Sequence, residues 1–385
     1  MSLFMRRVVV AFDSFKGSLS SREANAAFSE GVSDILPDAD IAQAAISDGG
    51  EGLSEAIAES VGGDIVEMTV SDPLCRPIIA RYALVENGST AVITLAAASG
   101  LTLLTLTERN PLLATTYGTG ELVLDAVRRG CRRIVLGLGG SATCDAGVGL
   151  LRALGFVFQD AEGRVLTSTM DILERCATIN GDGVCSALHD INIVVAIDVD
   201  NPLYGERGAA YVFAPQKGAS VADVERLDRA LRHFANVVSH HVGVDYSTEQ
   251  GMGAAGGVAF GLSALLGVVP TSGIDLMLGI VGFEVLLVGA DLVVTGEGRI
   301  DRQTVMGKAP SGVLRAAKRA GVRCVAVGGS VAWCDELSQS DFDAIYAATP
   351  ADMPLTEAMQ RDVAYDNLRV VGRRVCGHFL GKEEV

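Results

Sequence analysis

At 385 residues the chain is too long for one ordinary hydrophobic core, so two domains are expected. Apolar residues make up 49%, charged residues 20%, and there are 45 glycines, the composition of a globular α/β protein and not of a disordered or low-complexity one. A formal net charge of −16 argues against nucleic acid and against an anionic membrane surface, so an anionic small molecule has to be met by a local cluster of Lys, Arg and backbone N–H groups.

The opening stretch, MSLFMRRVVVAF, has the outline of a signal peptide, but its apolar run is short and is cut by Asp13 and Lys16. It reads as a first strand, Arg7 to Phe12. Ser20 and Glu23 form an S-x-x-E capping box that starts a helix reaching about Leu36. A second strand, Ile41 to Ile46, leads into SDGGEG (Ser47 to Gly52) and a second helix, Leu53 to Ser60. Arg81 to Leu95 reads as a hairpin turning at Asn87 and Gly88. Thr119 to Arg129 is predicted helical, and Cys131 to Leu136 is a strand entering GLGGSATCDAG (Gly137 to Gly147). The strand Ile191 to Ile197 ends at Asp198. Val221, Val224, Leu227, Leu231, Phe234 and Val238 keep helical spacing on one face. Near the C-terminus the strand–helix alternation returns: strand Ala290 to Thr295, helix Pro310 to Ala320, strand Arg323 to Val327 ending in Gly328 and Gly329.

Such alternation implies a parallel sheet whose right-handed crossovers put every strand-to-helix loop on one edge. DSFKGS (Asp13 to Ser18), SDGGEG and TGEGRID (Thr295 to Asp301) are then expected to converge on one crevice. The predicted division is a Rossmann-like domain from residues 1–70 plus 290–385, with a second α/β domain, 71–289, inserted. No apolar run is long enough to span a bilayer. The eight cysteines show no CxxC and no zinc-ligand spacing, which fits buried reduced thiols in a soluble cytoplasmic protein, monomeric or homodimeric.

Glycine-rich segments carrying fixed acids and lysines are the chemical signal. Glycine lets backbone approach a ligand and leaves amide donors exposed for phosphate oxygens. Three acidic pairs lie in such segments, Asp48 with Glu51, Asp198 with Asp200, and Glu297 with Asp301, with Lys16, Lys217, Arg299 and Lys308 among or near them. No segment satisfies the P-loop pattern, since no Ser or Thr follows Lys308. GLGGSA fits the dinucleotide fingerprint, with Asp160 about 20 residues on, which leaves a hydroxyacid dehydrogenase using NAD as an alternative. A non-catalytic organic-acid sensor is another. The five histidines lie in no catalytic motif, and Ser141 lacks a nucleophile-elbow context.

The segments FDSFKGSLSS (Phe12 to Ser21), SDGGEG, GTGEL (Gly118 to Leu122), GLGGSATCDAGVGLLRALG (Gly137 to Gly155), DVDNPLYGERGA (Asp198 to Ala209), APQKGA (Ala214 to Ala219), GMGAAGG (Gly251 to Gly257) and TGEGRIDRQTVMGK (Thr295 to Lys308) together resemble the bacterial glycerate kinase family, in order over nearly the whole chain. The resemblance implies phosphorylation of D-glycerate to 2-phosphoglycerate by ATP with Mg²⁺, and an inserted domain like a restriction-endonuclease core. Departures are Cys144 where Asn is expected, Ala146 where Gly is expected, and Leu53 where a small polar residue is usual.

Within that frame Asp198 is the candidate to orient or deprotonate the C2 hydroxyl, because it ends an apolar strand and precedes an Asn-Pro turn. Lys16, Asp48 and Asp301 complete the candidate catalytic set, and Asp48 and Glu297 are candidate metal ligands. Gly139, Gly140, Ser141, Gly253, Gly256, Gly296, Glu297, Gly298 and Lys308 are candidate nucleotide contacts. Ser14, Lys16, Gly49 and Gly50 are the candidate seat for glycerate. A site drawn from loops of both domains would have to close over its substrates, with hinges at the crossings near 70–73 and 282–289.

Overall fold

The computed structural model describes residues 6–46, 54, 57, 58, 61–305 and 307–380. The chain folds into two compact units, Met1–Asp48 with Ile274–Val385, and Gly49–Gly273. The predicted helix over Leu53 to Ser60 lies mostly outside the described residues.

In chain order the elements that matter are strands β1 (Arg7–Phe12) and β2 (Asp40–Gln43) with helix α1 (Ser21–Ile35) between them; β3 (Asp64–Ser71), β4 (Pro77–Val85), β5 (Thr90–Thr94), α2 (Tyr117–Arg128) and β6 (Arg133–Gly137); and the short β7 (Val157–Gln159), β8 (Val165–Leu166) and β9 (Thr178–Asn180). Then follow β10 (Asn192–Ile197), α3 (Val221–Val242), α4 (Ala254–Leu266), β11 (Pro270–Ser272), β12 (Leu292–Ile300), α5 (Ala309–Ala320), β13 (Arg323–Val331), β14 (Ala344–Ala347) and α6 (Arg361–Phe379).

The first unit holds a five-stranded sheet in the order β14-β13-β12-β1-β2, every neighbouring pair parallel. Parallel strands are buried on both faces, which is why RVVVAF reads as an unbroken apolar run. Val8, Val10, Phe12, Leu292, Val294 and Val325 form a core with α1 and α6. These two helices touch backbone to backbone: a Cβ on Gly31 would lie 2.1 Å from the Arg369 carbonyl oxygen. Ser20 caps α1 reciprocally with Glu23, as the capping-box pattern predicts.

Two expectations need correction here. TGEGRID is not a loop after a short strand, because β12 continues through Ile300, and β13 likewise runs past Gly329 to Val331. The two strands carry each other outward, pairing Glu297 with Gly328, Arg299 with Ser330 and Ile300 with Val331. The glycines permit this rather than break it. A Cβ on Gly296 would sit 1.7 Å from the Val327 carbonyl oxygen, and one on Gly329 would sit 2.6 Å from that of Gly298.

The second unit is built on a mixed sheet, β11-β10-β6-β5-β4-β3, with β5, β6, β10 and β11 parallel and β3, β4 and β5 antiparallel. The β4–β5 hairpin turns through Glu86, Asn87 and Gly88, all at positive φ (52°, 57° and 81°). β3 pairs with β4 from Asp64 opposite Leu84 to Ser71 opposite Pro77, so a segment expected in 1–70 lies in the second sheet. The link is a turn through DPLCRP. Asp72 Oδ1 accepts from the Leu74 and Arg76 amides, each at 2.8 Å, and its Oδ2 pairs with Arg76 Nε at 2.6 Å. At the other crossing, Ile274 onward belongs with the first unit. The amphipathic helix predicted from Val221 is α3, capped by Ser220 and Asp223 and ended by Gly243 at φ 80°. All eight cysteines are free thiols. Among the described residues no helix is long and apolar enough to cross a membrane.

Candidate active site

All strands of the first sheet end on one edge. β1 and β12 lie side by side there while the chain leaves them in opposite directions, the switch point at which open α/β sheets leave a ligand crevice. A cleft of about 710 Å³ opens at this edge, and Asp13, Ser14, Lys16, Glu297, Asp301 and Lys308 line it. DSFKGS is a tight loop: the Phe15 amide donates to the Leu19 carbonyl (2.9 Å) and the Ser18 amide to that of Phe15 (2.8 Å). Phe15 and Leu19 are buried while Lys16 is held out on the rim, and Gly17 at φ 85° makes the reversal possible. Asp13, only 6% exposed, is anchored through its amide to the Gly296 carbonyl (2.9 Å), while its Oδ1 accepts from the Ser14 amide at 2.6 Å.

Opposite this loop, Glu297 Oε1 accepts from Thr304 Oγ1 at 2.7 Å and its Oε2 lies 3.6 Å from Lys308 Nζ. Thr304 Oγ1 also accepts from the Asp301 amide at 3.0 Å, so one buried hydroxyl sets the spacing of the two acids. Asp301 Oδ2 is 3.6 Å from Arg299 Nε. Lys308 immediately precedes α5, where the positive end of the helix dipole adds to its charge. Among the described residues no three His, Cys, Asp or Glu side chains form a ready metal cage. Asp13, Glu297 and Asp301 nonetheless supply hard carboxylate oxygens to one cleft, the donor set suited to Mg²⁺ that keeps waters and takes its other ligands from substrate phosphates. Asp48, Gly49 and Gly50 lie outside the described residues.

The remaining predicted residues gather in the second unit, at the carboxyl ends of β6 and β10, paired in parallel up to Gly137 and Ala196. Asp198 follows β10 and is exposed. The loop after β6 is tied down at Gly140, whose carbonyl accepts from the Leu101 amide at 2.8 Å, and at Ser141, which bridges Gly100. Gly253 and Gly256 have steric work here: a Cβ on Gly253 would meet the Pro202 carbonyl oxygen at 2.4 Å, and on Gly256 that of Thr143 at 2.2 Å. The two glycine loops interlock, with the Ala146 amide donating to the Gly256 carbonyl at 3.0 Å.

Lys217, 3% exposed, reaches into this loop and donates from Nζ to Ser141 Oγ (2.8 Å) and to the Thr143 carbonyl (2.7 Å). Burial lowers its pKa from the ordinary lysine value. Beside it Asp145 is wholly buried and accepts from Thr116 N and Oγ1, each at 2.8 Å, and from the amides of Gly147 and Gly149. Burial raises its pKa, and those donors pull the other way.

Neither feature of the dinucleotide fingerprint survives in three dimensions. The helix after GLGGSA begins only at Val148, beyond Gly147 at φ 76°, so no helix N-terminus stands at the glycines. Asp160 is 4% exposed and paired with Arg164 (2.8 Å) and Arg175 (3.2 Å) in a turn of the small sheet, so its carboxylate is already engaged. Sequence reasoning passed over Asp13, Thr304 and Asn367, which lines the same cleft from α6. Asp13 heads the DSFKGS motif and was the one of these with a visible signal; Thr304 and Asn367 have none.

The family model of the glycerate kinase family matches residues 8–379. The chain is 41% identical over 360 residues to a glycerate kinase of Bacillus subtilis, covering 93% of this chain and 94% of that one. It is 38% identical over 373 residues to the glycerate 2-kinase of Escherichia coli, covering 96% and 97%. The crystal structure described as glycerate kinase 2 from Salmonella typhimurium LT2 superposes with a TM-score of 0.88 at 38% identity, covering 99% of this chain and all of that one. The protein belongs to the glycerate kinase family and is a kinase.

Proposed function

We propose that the protein transfers the γ-phosphoryl group of ATP to the C2 hydroxyl of D-glycerate, giving 2-phosphoglycerate, with Mg²⁺. The observation that carries this reading is the convergence of Ser14, Lys16, Glu297, Asp301 and Lys308 on one cleft at the sheet's switch point. Phosphoryl transfer asks the protein for positioning and for neutralisation of phosphate charge, and asks little covalent chemistry of it. Lys16 and Lys308 meet the phosphate oxygens, and Ser14 and Gly298 line the cleft beside them. Glu297 and Asp301 would hold Mg²⁺, which when bound offsets the charge of the phosphates. Asp48 keeps its proposed place in the metal and catalytic set, and Gly49 and Gly50 theirs with Ser14 at the glycerate carboxylate. Asp198 orients the C2 hydroxyl and accepts its proton.

Gly139, Gly140 and Ser141, fixed by Lys217, offer a rigid loop for an anionic group, and Gly253 and Gly256 shape that loop by letting their segment close on it. Gly296 acts similarly, by letting β12 close on β13 beneath Glu297. The proposed architecture is a Rossmann- or flavodoxin-like unit carrying an inserted unit with a restriction-endonuclease-like core, acting as a monomer or homodimer.

The test is ADP release followed with D-glycerate, ATP and Mg²⁺, with the product presented directly to enolase. Formation of phosphoenolpyruvate without added phosphoglycerate mutase identifies the 2-phosphate. A requirement for the mutase moves the transfer to another hydroxyl, and no ADP release above background ends the proposal.

A further inference from the structure

The cleft at the ends of β1 and β12 is divided. One side carries the acids and lysines just described. The other is apolar, built from the end of β14 and the segment between it and α6: Ala347, Pro350, Met353, Leu355, Ala358 and Met359. The two sides meet where Met359 Cε comes against Gly17, so the apolar wall begins directly beside Lys16. At about 710 Å³ the cavity lies in the range that takes a ligand the size of a nucleotide, far more than a three-carbon acid needs. Glycerate offers no apolar surface to such a wall. Aliphatic and thioether side chains present a flat, adaptable surface suited to the face of a heteroaromatic ring.

Two polar side chains interrupt the apolar side, Thr349 and Asn367. Asn367, half-buried on α6, donates from Nδ2 to Met353 Sδ at 3.4 Å, a weak acceptor, and its amide carries a second donor and a good acceptor besides. A side-chain amide so placed matches the donor–acceptor edge of a purine.

We infer that the apolar wall between Ala347 and Met359 is the seat of the purine base of the nucleoside triphosphate, with the Asn367 amide reading the base edge. The inference rests on the reading above that the phosphates lie at Lys16 and Lys308, and it runs the nucleotide from the strand ends of β1 and β12 outward along the face of β14 and α6.

Isothermal titration with two probes tests it: ADP, which has the base, and inorganic tripolyphosphate, which lacks it. Asn367→Ala removes the base-edge contacts. Ala347→Phe fills the wall from a residue that is exposed at the end of β14, so its bulk goes into the cleft and not into the core. Each variant is expected to weaken ADP by about tenfold or more and to leave tripolyphosphate unchanged, with the thermal midpoint of the ligand-free protein preserved. Unchanged ADP affinity in both variants overturns the assignment, and so does an equal loss for both probes, which would mean the substitutions act on the phosphate end or on the fold. Lys308→Ala separates the underlying reading: it should weaken both probes, and if it weakens neither, the phosphates are elsewhere and the base seat falls with them.

Discussion

Replacing Glu297 by Gln examines the acidic side of the cleft with little steric disturbance. Gln keeps an oxygen to accept from Thr304 Oγ1, which Glu297 engages at 2.7 Å, so the Thr304–Asp301 link survives. What is lost is the negative charge 3.6 Å from Lys308 Nζ. At an effective dielectric near 20 that attraction is about 4–5 kcal/mol before screening. The side chains are 12% and 33% exposed, so water takes back most of it and the net contribution to stability is about 1 kcal/mol. For a protein of this size that is a fall in Tm of roughly 1–2 °C. The chemical consequence should be far larger, because a carboxylate that holds Mg²⁺ against phosphate is worth about 100-fold or more in kcat. A coupled ADP assay titrated with Mg²⁺, run beside thermal unfolding, measures both. The expected result is a small Tm change, a kcat reduced at least about 100-fold, and a higher Mg²⁺ requirement. If kcat and the Mg²⁺ midpoint both stay within about threefold of wild type while Lys308 remains essential, Glu297 is a partner of that lysine and no metal ligand.

Asp198→Asn, nearly isosteric at an exposed position, should leave Tm unchanged and cut kcat by about 10²–10⁴; a loss under about tenfold rejects the base role. Lys16→Ala should raise the KM for ATP strongly at unchanged Tm, since the ammonium sits on the rim and packs against no core, and unchanged kinetics would remove it from the site. Ala146→Gly should change stability by less than about 0.5 kcal/mol. Relief of a left-handed alanine (φ 50°) gains about 1–2 kcal/mol, while the lost buried methyl and the freer unfolded glycine together return about as much, so a loss above about 1.5 kcal/mol by urea unfolding would contradict this account. Asp34, pulled from 3.8 to about 2 by hydrogen bonds from Arg369 and Arg373, links α1 to α6. A depressed carboxyl stabilises above its unfolded pKa and ceases to as pH falls through the folded one. The Tm gap between wild type and Asp34→Asn should therefore be constant above pH 3.8 and close towards about 2, and a gap that persists below that would assign it to packing.

The centre of the first sheet was legible because β1, β12 and β13 are buried on both faces and carry continuous apolar runs, and because the Ser20–Glu23 box and Gly321 after α5 mark helix ends in the sequence itself, whereas the half-exposed edge strand β14 went unread. The boundary near 70 was not legible. β3 opens on the exposed Asp64 and Ile65 and alternates only from Val66 to Val70, and the turn to its partner is held by the Asp72 carboxylate together with the Asp72 amide donating to the Arg76 carbonyl (2.7 Å) and Cys75 at φ 62°. Three inward residues make a short alternation beside the continuous runs of the first sheet, and the prolines of DPLCRP mark a turn without saying which strands it joins.

The glycine motifs were legible as a group and ambiguous one by one, and the structure shows why. They hold two kinds of glycine that look alike in sequence. Gly17, at φ 85° in the loop that turns Lys16 to the rim, acts through conformation, and Gly298 faces the cleft itself. Gly253 and Gly296 act through what they lack, since a methyl at either would fall within 2.4 Å of a neighbouring carbonyl oxygen, and Gly256, at φ 71° and with a methyl 2.2 Å from the Thr143 carbonyl oxygen, acts in both ways. The second kind brings backbone segments together so that a charged side chain elsewhere is placed: Gly296 lets β12 run beside β13 far enough to present Glu297, and Gly256 lets its segment close on the loop that Lys217 holds. A motif read as phosphate-binding glycine is therefore partly scaffold, and the residues with chemistry are the acids and lysines it spaces. Alanine at Gly298, where the nearest atom to a new Cβ would be Phe15 Cα at 3.5 Å, is sterically tolerable, whereas alanine at Gly296 must break the β12–β13 ladder. The first substitution should therefore report on ligand contact and the second on folding, a distinction that the spacing of glycines in TGEGRID cannot make.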